Sequence, residues 1–443
     1  MAWRITRDTP RNVFDRLREN DLWWYSLWLM LSARIGDLVN LVISAFLVPD
    51  FMNQGDMGAI LPLTRAINIA TIPITVAAAV FLRYSSKFEA WGQPGKTNKM
   101  MRDFLTAGLL LGGVALGLFT LLSKPLGKLY GVSDIRVLWV VGGLAFLAAV
   151  GPSLQTAIQA LQRYRMFVYG NVAGPTIRLI AAWLLLTPLQ ITGLFIANAL
   201  ASLTRIVLMG VDALPFVFSR KSHSPYRQHV AEMIKFALPF GIYTTLITTQ
   251  LFIEASVVRT ALGEKHSAGF FMITTLGSAP MYLLAALTPL LLPVLSHRHE
   301  RKQGSRQTHV LMLGCALTLG LAITLLLYLI GPFFFSLRKS WMAFAEFGPL
   351  LWLLGLAYCL TAVDSIHRVN LHAKSSFQYL LYFAPVQILG MAALFLLPKF
   401  NESWLTLNVV IFIMITTRLL NLLGLLFDLW LDRHAANQPN SEG

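Results

Sequence analysis

The sequence predicts an all-α integral membrane protein, with about 12 transmembrane helices in two six-helix lobes around a central cavity. Three observations predict this fold class. Of the 443 residues, 56% are hydrophobic and only 13% are charged, whereas soluble domains carry about 25% charged residues. Apolar runs of about 20 residues, the length needed to cross a bilayer, recur along the chain. Prolines of the first half of the sequence also recur at a constant offset in the second half.

The apolar runs define twelve predicted spans separated by short polar loops. The first run follows a polar segment rich in arginine and is too long for the core of a signal peptide. We therefore interpret it as a retained helix, preceded by a surface segment with Trp23, Trp24 and Trp28 at the membrane interface. In chain order the spans cover 25–49, 57–82, 104–123, 137–160, 167–187, 191–217, 234–258, 268–295, 309–331, 348–366, 378–397 and 404–430.

The positive charges in the loops predict the orientation of the spans. With the N-terminus in the cytoplasm, the cytoplasmic stretches contain 23 Lys and Arg residues and the outer stretches contain eight. Cytoplasmic loops of membrane proteins carry this kind of excess. Both termini are therefore predicted to be cytoplasmic. This placement also accounts for the net charge of +15 without a nucleic-acid partner.

An internal repeat predicts two halves of six spans each. Pro175 and Pro188 around span five are matched 210 residues later by Pro385 and Pro398 around span eleven. Halves with an even number of spans have the same orientation, and a binding site is expected between them. The predicted division is a cytoplasmic N-terminal segment 1–24, an N-lobe 25–218, a cytoplasmic linker 219–233, a C-lobe 234–430 and a cytoplasmic tail 431–443.

Charged residues inside the predicted spans are the candidate functional residues. A charge within the bilayer is costly unless it faces a water-filled cavity or a partner, and the planar guanidinium group suits a phosphate. The candidates for binding an anionic head group are Arg34, Arg65, Arg178, Arg205 and Arg418. The candidates for ion coupling or gating are Asp37, Glu254 and Asp364.

Structural ion pairs compete with these functional roles. Arg34 and Asp37 are three residues apart on one helical face and can pair with each other. Asp364 has Arg368 one turn away, which favours a structural pair there.

The arginines of spans six and twelve also have possible acidic partners. Asp212 and Asp428 lie nearer the cytoplasmic ends of these spans and can draw Arg205 and Arg418 towards the interface.

No metal-ligand spacing or phosphate-binding loop occurs, so no metal or resident cofactor is predicted. A carboxylate buried in a cavity can nevertheless bind Na⁺ or a proton. Coupling to either ion is therefore a second hypothesis for the acidic candidates.

Short motifs mark the connection from span seven to span eight. They are Glu254 in span seven, Leu262-Gly263, the opening Ala268-Gly269-Phe270 of span eight, and Pro293 before a basic loop. This region resembles the polysaccharide (O-antigen type) flippase branch of the multidrug/oligosaccharidyl-lipid/polysaccharide exporter superfamily. It differs in having Glu254 where aspartate is common and Phe270 where tyrosine is common.

The resemblance implies an alternating-access transporter of the bacterial cytoplasmic (inner) membrane. Such a transporter flips a polyprenyl-diphosphate-linked saccharide from the inner to the outer leaflet for cell-surface polysaccharide assembly. The resemblance also implies cationic cavity residues for the head group. The expected partners are the lipid-linked saccharide, membrane lipid, and a polysaccharide polymerase or glycosyltransferases.

Other classes of membrane protein remain as alternatives. A multidrug or small-molecule exporter of the same superfamily, coupled to Na⁺ or H⁺, should favour buried acids over arginines. A major-facilitator porter should carry a G-x-x-x-D-R-x-G-R-like loop between spans two and three, and 83–102 has nothing of that form. A membrane glycosyltransferase or polymerase needs a large outer loop, whereas the longest predicted one, 332–347, is short. We therefore expect a transporter rather than an enzyme or a scaffold.

Overall fold

The computed structural model describes residues 21–132, 134–160, 164–218, 224–285, 305–373, 376–400 and 402–436. Every regular element within these residues is a helix. The helices are α1 Asp21–Val42, α2 Gln54–Ala70, α3 Ile72–Ala90, α4 Pro94–Leu121, α5 Ser123–Tyr130, α6 Ile135–Ala160, α7 Tyr164–Val217, α8 Val230–Ala261, α9 Gly263–Gly277, α10 Ala279–Ala285, α11 Ser305–Phe334, α12 Leu351–Ala373, α13 Leu380–Phe400 and α14 Leu407–Ala436.

The predicted membrane fold is confirmed. In the part of the chain that the structure describes, nine helices are long and apolar enough to cross a membrane, or ten when α2 and α3, bent by 52°, count as one span. One of the nine, α7, contains predicted spans five and six, and α1 corresponds to span one. The predicted interfacial segment before residue 21 and the second half of span eight, 286–295, lie outside the described residues.

The helices pack in two groups that meet along α2, α8 and α9. In the N-lobe, α6 packs against α4 and α7, and α7 packs against α1. In the C-lobe, α12 packs against α11 and α14, and α13 packs against α8 and α14. Because α2 packs on both α8 and α9, the junction of the lobes brings side chains of the two halves together. Several helix boundaries differ from the predicted spans. The helix α8 begins at Val230, inside the predicted linker, and α4 begins at Pro94, ten residues before predicted span three.

Gln190 lies at a break within α7 and contacts the turn between α1 and α2. Its backbone has φ 49° and ψ −129°, which breaks α7 into two arms. A positive φ is uncommon for a residue other than glycine. The Gln190 side chain donates to Phe51 O at 3.0 Å and accepts from Asn53 N at 3.1 Å. The Gln190 side chain at this break therefore pairs with two backbone groups, Phe51 O and Asn53 N, in the turn between the helices.

A π-helical turn, Ile43–Leu47, follows α1 and leads into the helical turn Val48–Phe51. The polar residues Arg34, Asp37 and Asn40 precede it, and Asp50 follows it. Single π turns inside α-helices are frequent at functional sites. Here the π turn separates Arg34, Asp37 and Asn40 from Asp50.

Candidate functional site

Arg34 of α1 lies at the junction between α1 and α10. Its Nη1 donates to Tyr282 O at 2.6 Å and lies 2.8 Å from Asp37 Oδ2. The predicted pairing of Arg34 with Asp37 is therefore present. The two side chains remain 33% and 36% exposed, so this pair is accessible rather than sealed inside the helix bundle.

Arg178 and Arg205 come from the two arms of α7 and interact electrostatically with each other. Arg178 Nη1 donates to Asn40 Oδ1 at 2.9 Å, which connects it to the helix that carries Arg34. Arg205 lies against Gly174, where a Cβ would be only 2.7 Å from Arg205 Nε. Glycine at that position therefore allows the guanidinium group to lie close to the α7 backbone. Arg34, Arg178 and Arg205 form what we call the first arginine cluster.

The first arginine cluster has hydrogen-bond donors that are not used. The Nε atoms of Arg34, Arg178 and Arg205 are buried and have no acceptor among the described residues. A buried charged donor without an acceptor is costly. The first arginine cluster therefore indicates a place where an anion would be stabilised.

A second arginine cluster, Arg65 and Arg418, surrounds the carboxylate of Glu254. Arg418 Nη2 lies 3.3 Å from Glu254 Oε2, and Arg65 interacts electrostatically with the same carboxylate. Gln250, one turn earlier on α8, donates from Nε2 to Glu254 Oε1 at 3.0 Å. The guanidinium carbon of Arg418 lies 5.5 Å from the centroid of the Tyr358 ring. Glu254 is only 2% exposed, so the junction of the lobes contains a fully enclosed carboxylate.

Tyr282 of α10 connects the two arginine clusters. Its carbonyl accepts from Arg34, and its side chain interacts electrostatically with Arg178 and with Tyr358. The structure thus brings all five arginines that the sequence predicted for head-group binding into two adjoining clusters. In the described residues these clusters combine five arginines with two carboxylates, those of Asp37 and Glu254. The electrostatic character of the site is cationic.

Asp364 lies apart from the other acidic candidates. It pairs with Arg368 one turn later on α12, as the spacing predicted. Arg368 is 3% exposed, and its guanidinium carbon lies 4.0 Å from the Phe383 ring centroid and 5.1 Å from that of Tyr243. This enclosure by aromatic rings favours a structural role for the Asp364–Arg368 pair.

The partner of Arg418 differs from the aspartate of its own helix that the sequence suggested. Asp428 instead accepts a hydrogen bond from the Tyr382 hydroxyl at 2.9 Å. Arg418 lies more than two turns earlier on α14, where α8 is near enough to present Glu254.

Arg259 connects the two lobes at the end that the charge count predicts to face outside. From the last turn of α8, its Nε donates to Tyr130 O of the N-lobe at 2.8 Å. Its Nη2 lies 3.1 Å from Glu264 of the C-lobe. The charge count includes Arg259 among the eight outer Lys and Arg residues, and the structure places it in the last helical turn, only 5% exposed.

Further contacts connect the lobes at the same end. Ser267 Oγ donates to Gly58 O at 2.7 Å. Trp341 Nε1 donates to Ala45 O at 2.7 Å, and Arg338 pairs with Asp50. We call these contacts, together with that of Arg259, the outer latch. They hold the ends of α1, α2 and α5 against the C-lobe.

Sequence reasoning missed the uncharged members of the site. Asn40 lies three residues after Asp37, and Gln250 lies one turn before Glu254, so spacing could have identified both. Tyr282 and Tyr358 gave no such signal, because tyrosines are common in membrane helices and these two contact residues far away in sequence.

The fold is that of known transporters. No protein-family model matches the sequence, and no curated protein matches it. An outward-facing multidrug resistance MATE family transporter of the MOP superfamily has a similar structure, with a TM-score of 0.65 and 15% identity over 94% of this chain and 95% of that chain. An inward-facing structure of the same description gives a TM-score of 0.64 and 15% identity over 93% and 96% of the two chains.

A third similar structure is a MOP superfamily transporter from Pyrococcus furiosus. It gives a TM-score of 0.62 and 14% identity over 91% of this chain and 93% of that chain. Similarity at this level of identity shows that the chain has the multi-pass helical fold of these transporters.

Proposed function

We propose that this chain is an alternating-access transporter that flips a polyprenyl-diphosphate-linked saccharide from the inner to the outer leaflet. The observation that carries the proposal is the pair of adjoining arginine clusters at the junction of the lobes. Five arginines with two carboxylates give the site a positive charge, and buried guanidinium donors in both clusters have no acceptor among the described residues. A diphosphate linkage supplies the missing acceptors and the compensating negative charge.

The chemistry of the arginine side chain supports a phosphate rather than a generic anion. A guanidinium group presents paired N–H donors in a plane, which match two phosphate oxygens at once. The clusters draw these groups from α1, α2, α7 and α14, so a bound diphosphate would contact both lobes. A ligand that contacts both lobes binds the two arrangements of the lobes with different affinities. That difference in affinity biases the equilibrium between them.

Alternating access is supported by the fold, since similar structures have been solved facing outward and facing inward. The contacts of the outer latch, including Arg259 to Tyr130 at 2.8 Å, correspond in our proposal to an inward-facing state. The Pyrococcus furiosus transporter is described as having a binding pocket of reverse polarity that suggests a different function. Polarity of the binding site is therefore a relevant criterion for function within this fold, and the two arginine clusters here are cationic.

The proposal includes a cellular setting. The transporter would lie in the cytoplasmic membrane of a bacterium with both termini inside, as the distribution of Lys and Arg predicts. The glycosyltransferases that build the lipid-linked saccharide would act before it, and a polymerase of the outer leaflet would act after it. The N-lobe 25–218 and C-lobe 234–430 would be the two moving bodies.

The experiment is translocation of a fluorescent undecaprenyl-diphosphate oligosaccharide in proteoliposomes, scored by an external quencher. Wild-type protein should accelerate exposure of the probe, and Arg65→Ala and Arg178→Ala should abolish the acceleration. Arg178→Lys should restore only part of it, because an ammonium cannot form two parallel hydrogen bonds. Arg136→Ala is the matched control, since the Arg136 side chain is 75% exposed and pairs only with the nearby Asp134. Normal translocation by both alanine variants would refute the cationic site.

A multidrug or small-molecule exporter coupled to Na⁺ or H⁺ is the second candidate. The observation that favours it is the enclosed carboxylate of Glu254, 2% exposed at the junction of the lobes. The same liposomes can be tested for efflux of a cationic dye under a Na⁺ or H⁺ gradient. Efflux that is lost in Glu254→Gln, without flipping of the lipid probe, would establish this alternative.

A further inference from the structure

We propose that Glu254 is an internal competitor for the anionic head group. Its carboxylate holds the guanidinium groups of Arg418 and Arg65 before the head group binds, and the diphosphate displaces it. The inference rests on the proposed function and adds a second step to it. The second arginine cluster becomes available only when an anion replaces Glu254.

The geometry of the pair indicates that it can exchange. The Arg418–Glu254 contact is single and measures 3.3 Å, whereas charge-assisted hydrogen bonds between these groups are about 2.7–2.9 Å and frequently double. A second nitrogen of Arg418, Nη1, is buried and has no acceptor among the described residues. The Arg34–Asp37 contact, by comparison, is 2.8 Å long. Arg418 is therefore incompletely paired, and a phosphate with several oxygens can satisfy it better than Glu254 does.

The groups around Glu254 lower the free energy needed to separate its carboxylate from Arg418. Arg418 faces the carboxylate from α14, Arg65 from α2, and Tyr358 of α12 packs beside them. Gln250 donates to the carboxylate oxygen that Arg418 does not contact, at 3.0 Å. When Arg418 turns to another anion, Glu254 keeps this hydrogen bond from Gln250.

The exchange has a clear advantage for a transporter. A positive charge in the bilayer is costly at every stage of the cycle, including the return without cargo. Glu254 provides the counter-charge during the return, and the head group provides it during transport. Competition also lowers the apparent affinity for the head group, because part of the binding energy is used to displace Glu254. Lower affinity allows release into the outer leaflet.

The test is equilibrium binding of farnesyl diphosphate, a short-chain probe, to the full chain in nanodiscs. Glu254→Gln keeps the size of the side chain and its contact with Gln250 but removes the competing charge. Its Kd should be tighter by about tenfold or more, since hydrogen bonds to charged groups are among the stronger ones. Translocation of the long-chain probe by the same variant should be slower, because release is slower. Asp364→Asn is the matched control, because it neutralises a different carboxylate paired with an arginine, and its Kd should be unchanged.

A double-mutant cycle separates competition from a general charge effect. In an Arg418→Gln background, Glu254→Gln should change the Kd much less than in wild-type protein. If Glu254→Gln does not yield monodisperse protein, Glu254→Asp withdraws the carboxylate by one methylene and should also tighten the Kd.

The outcomes distinguish this inference from the proposed function. An unchanged or weaker Kd in the Glu254 variants, while Arg178→Ala weakens binding, would overturn the competition and leave the head-group site intact. Wild-type Kd values in both Arg178→Ala and Arg418→Ala would overturn the proposed function itself.

Discussion

Arg259→Ala should shift the transporter towards an outward-open arrangement. Arg259 makes two polar contacts, one to Tyr130 O across the lobes at 2.8 Å and one to Glu264 within the C-lobe at 3.1 Å. The Glu264 contact lies within one lobe and need not change when the lobes separate. Of these two contacts, the bond to Tyr130 crosses between the lobes and distinguishes the two arrangements, so the substitution acts on the balance between them.

The size of the shift follows from that one bond. A hydrogen bond with a charged donor contributes about 1.5–3 kcal/mol, and each 1.4 kcal/mol is about tenfold in an equilibrium constant. Arg259→Ala should therefore change the ratio of closed to open outer ends by about 10- to 150-fold. The carbonyl of Tyr130, left without this donor in the closed arrangement, adds to the effect in the same direction.

The assay is a spin-label distance measurement between the outer ends of the lobes. Labels on Lys128→Cys and Lys339→Cys, both exposed, report the separation in a background of Cys315→Ala and Cys359→Ala. Wild-type protein should show one dominant short distance, and Arg259→Ala should add a longer population.

The control is Lys265→Ala, which removes an exposed ion pair with Glu346 at the same end but within the C-lobe. Its distance distribution should match that of wild-type protein. Identical distributions for Arg259→Ala and wild type would refute the role of Arg259 in the outer latch.

Two further predictions concern stability, measured by thermal unfolding in detergent. Gly269→Ala should destabilise the protein by about 1–3 kcal/mol, because a Cβ there would lie 2.3 Å from the Phe347 ring. Gly314→Ala, where a Cβ meets nothing within 4 Å, should be neutral or stabilising. Equal effects of the two substitutions on thermal stability would contradict the packing argument. Arg368→Leu should cost about 3–5 kcal/mol by leaving Asp364 unpaired, and adding Asp364→Leu should recover most of the loss without changing the Kd for farnesyl diphosphate. A double variant no more stable than the single variant would disprove the structural role of this pair.

The helices could be predicted from the sequence because the signal for a membrane span is local. Each span needs only its own run of apolar residues, and the parts of the predicted runs that lie within the described residues fall largely in helices. The Arg34–Asp37 pair was predictable for the same reason, since its members are three residues apart on one helix. The Asp364–Arg368 pair follows the same rule with a spacing of four.

Contacts between distant segments could not be predicted in this way. Glu254 and Arg418 are 164 residues apart, and no periodicity connects them. Asp428, ten residues from Arg418 on the same helix, was the nearer acid in sequence but not in space. The role of Arg259 was not predictable because a charge at the end of an apolar run resembles a loop residue, and hydropathy does not reveal its hydrogen bond to the carbonyl of Tyr130.

The π turn at Ile43–Leu47 gives α1 a way to rotate about its axis while it moves along that axis. A π turn holds one residue more than an α-helical turn, and one residue corresponds to 100° of rotation and 1.5 Å of rise. Converting this turn to α-helix would rotate everything on one side of it relative to the other. With Asp50 held by Arg338, the rotation would fall on the segment that carries Arg34, Asp37 and Asn40. The Arg34–Asp37 pair would move as a unit, and Arg34 and Asn40 would leave Tyr282 and Arg178 together.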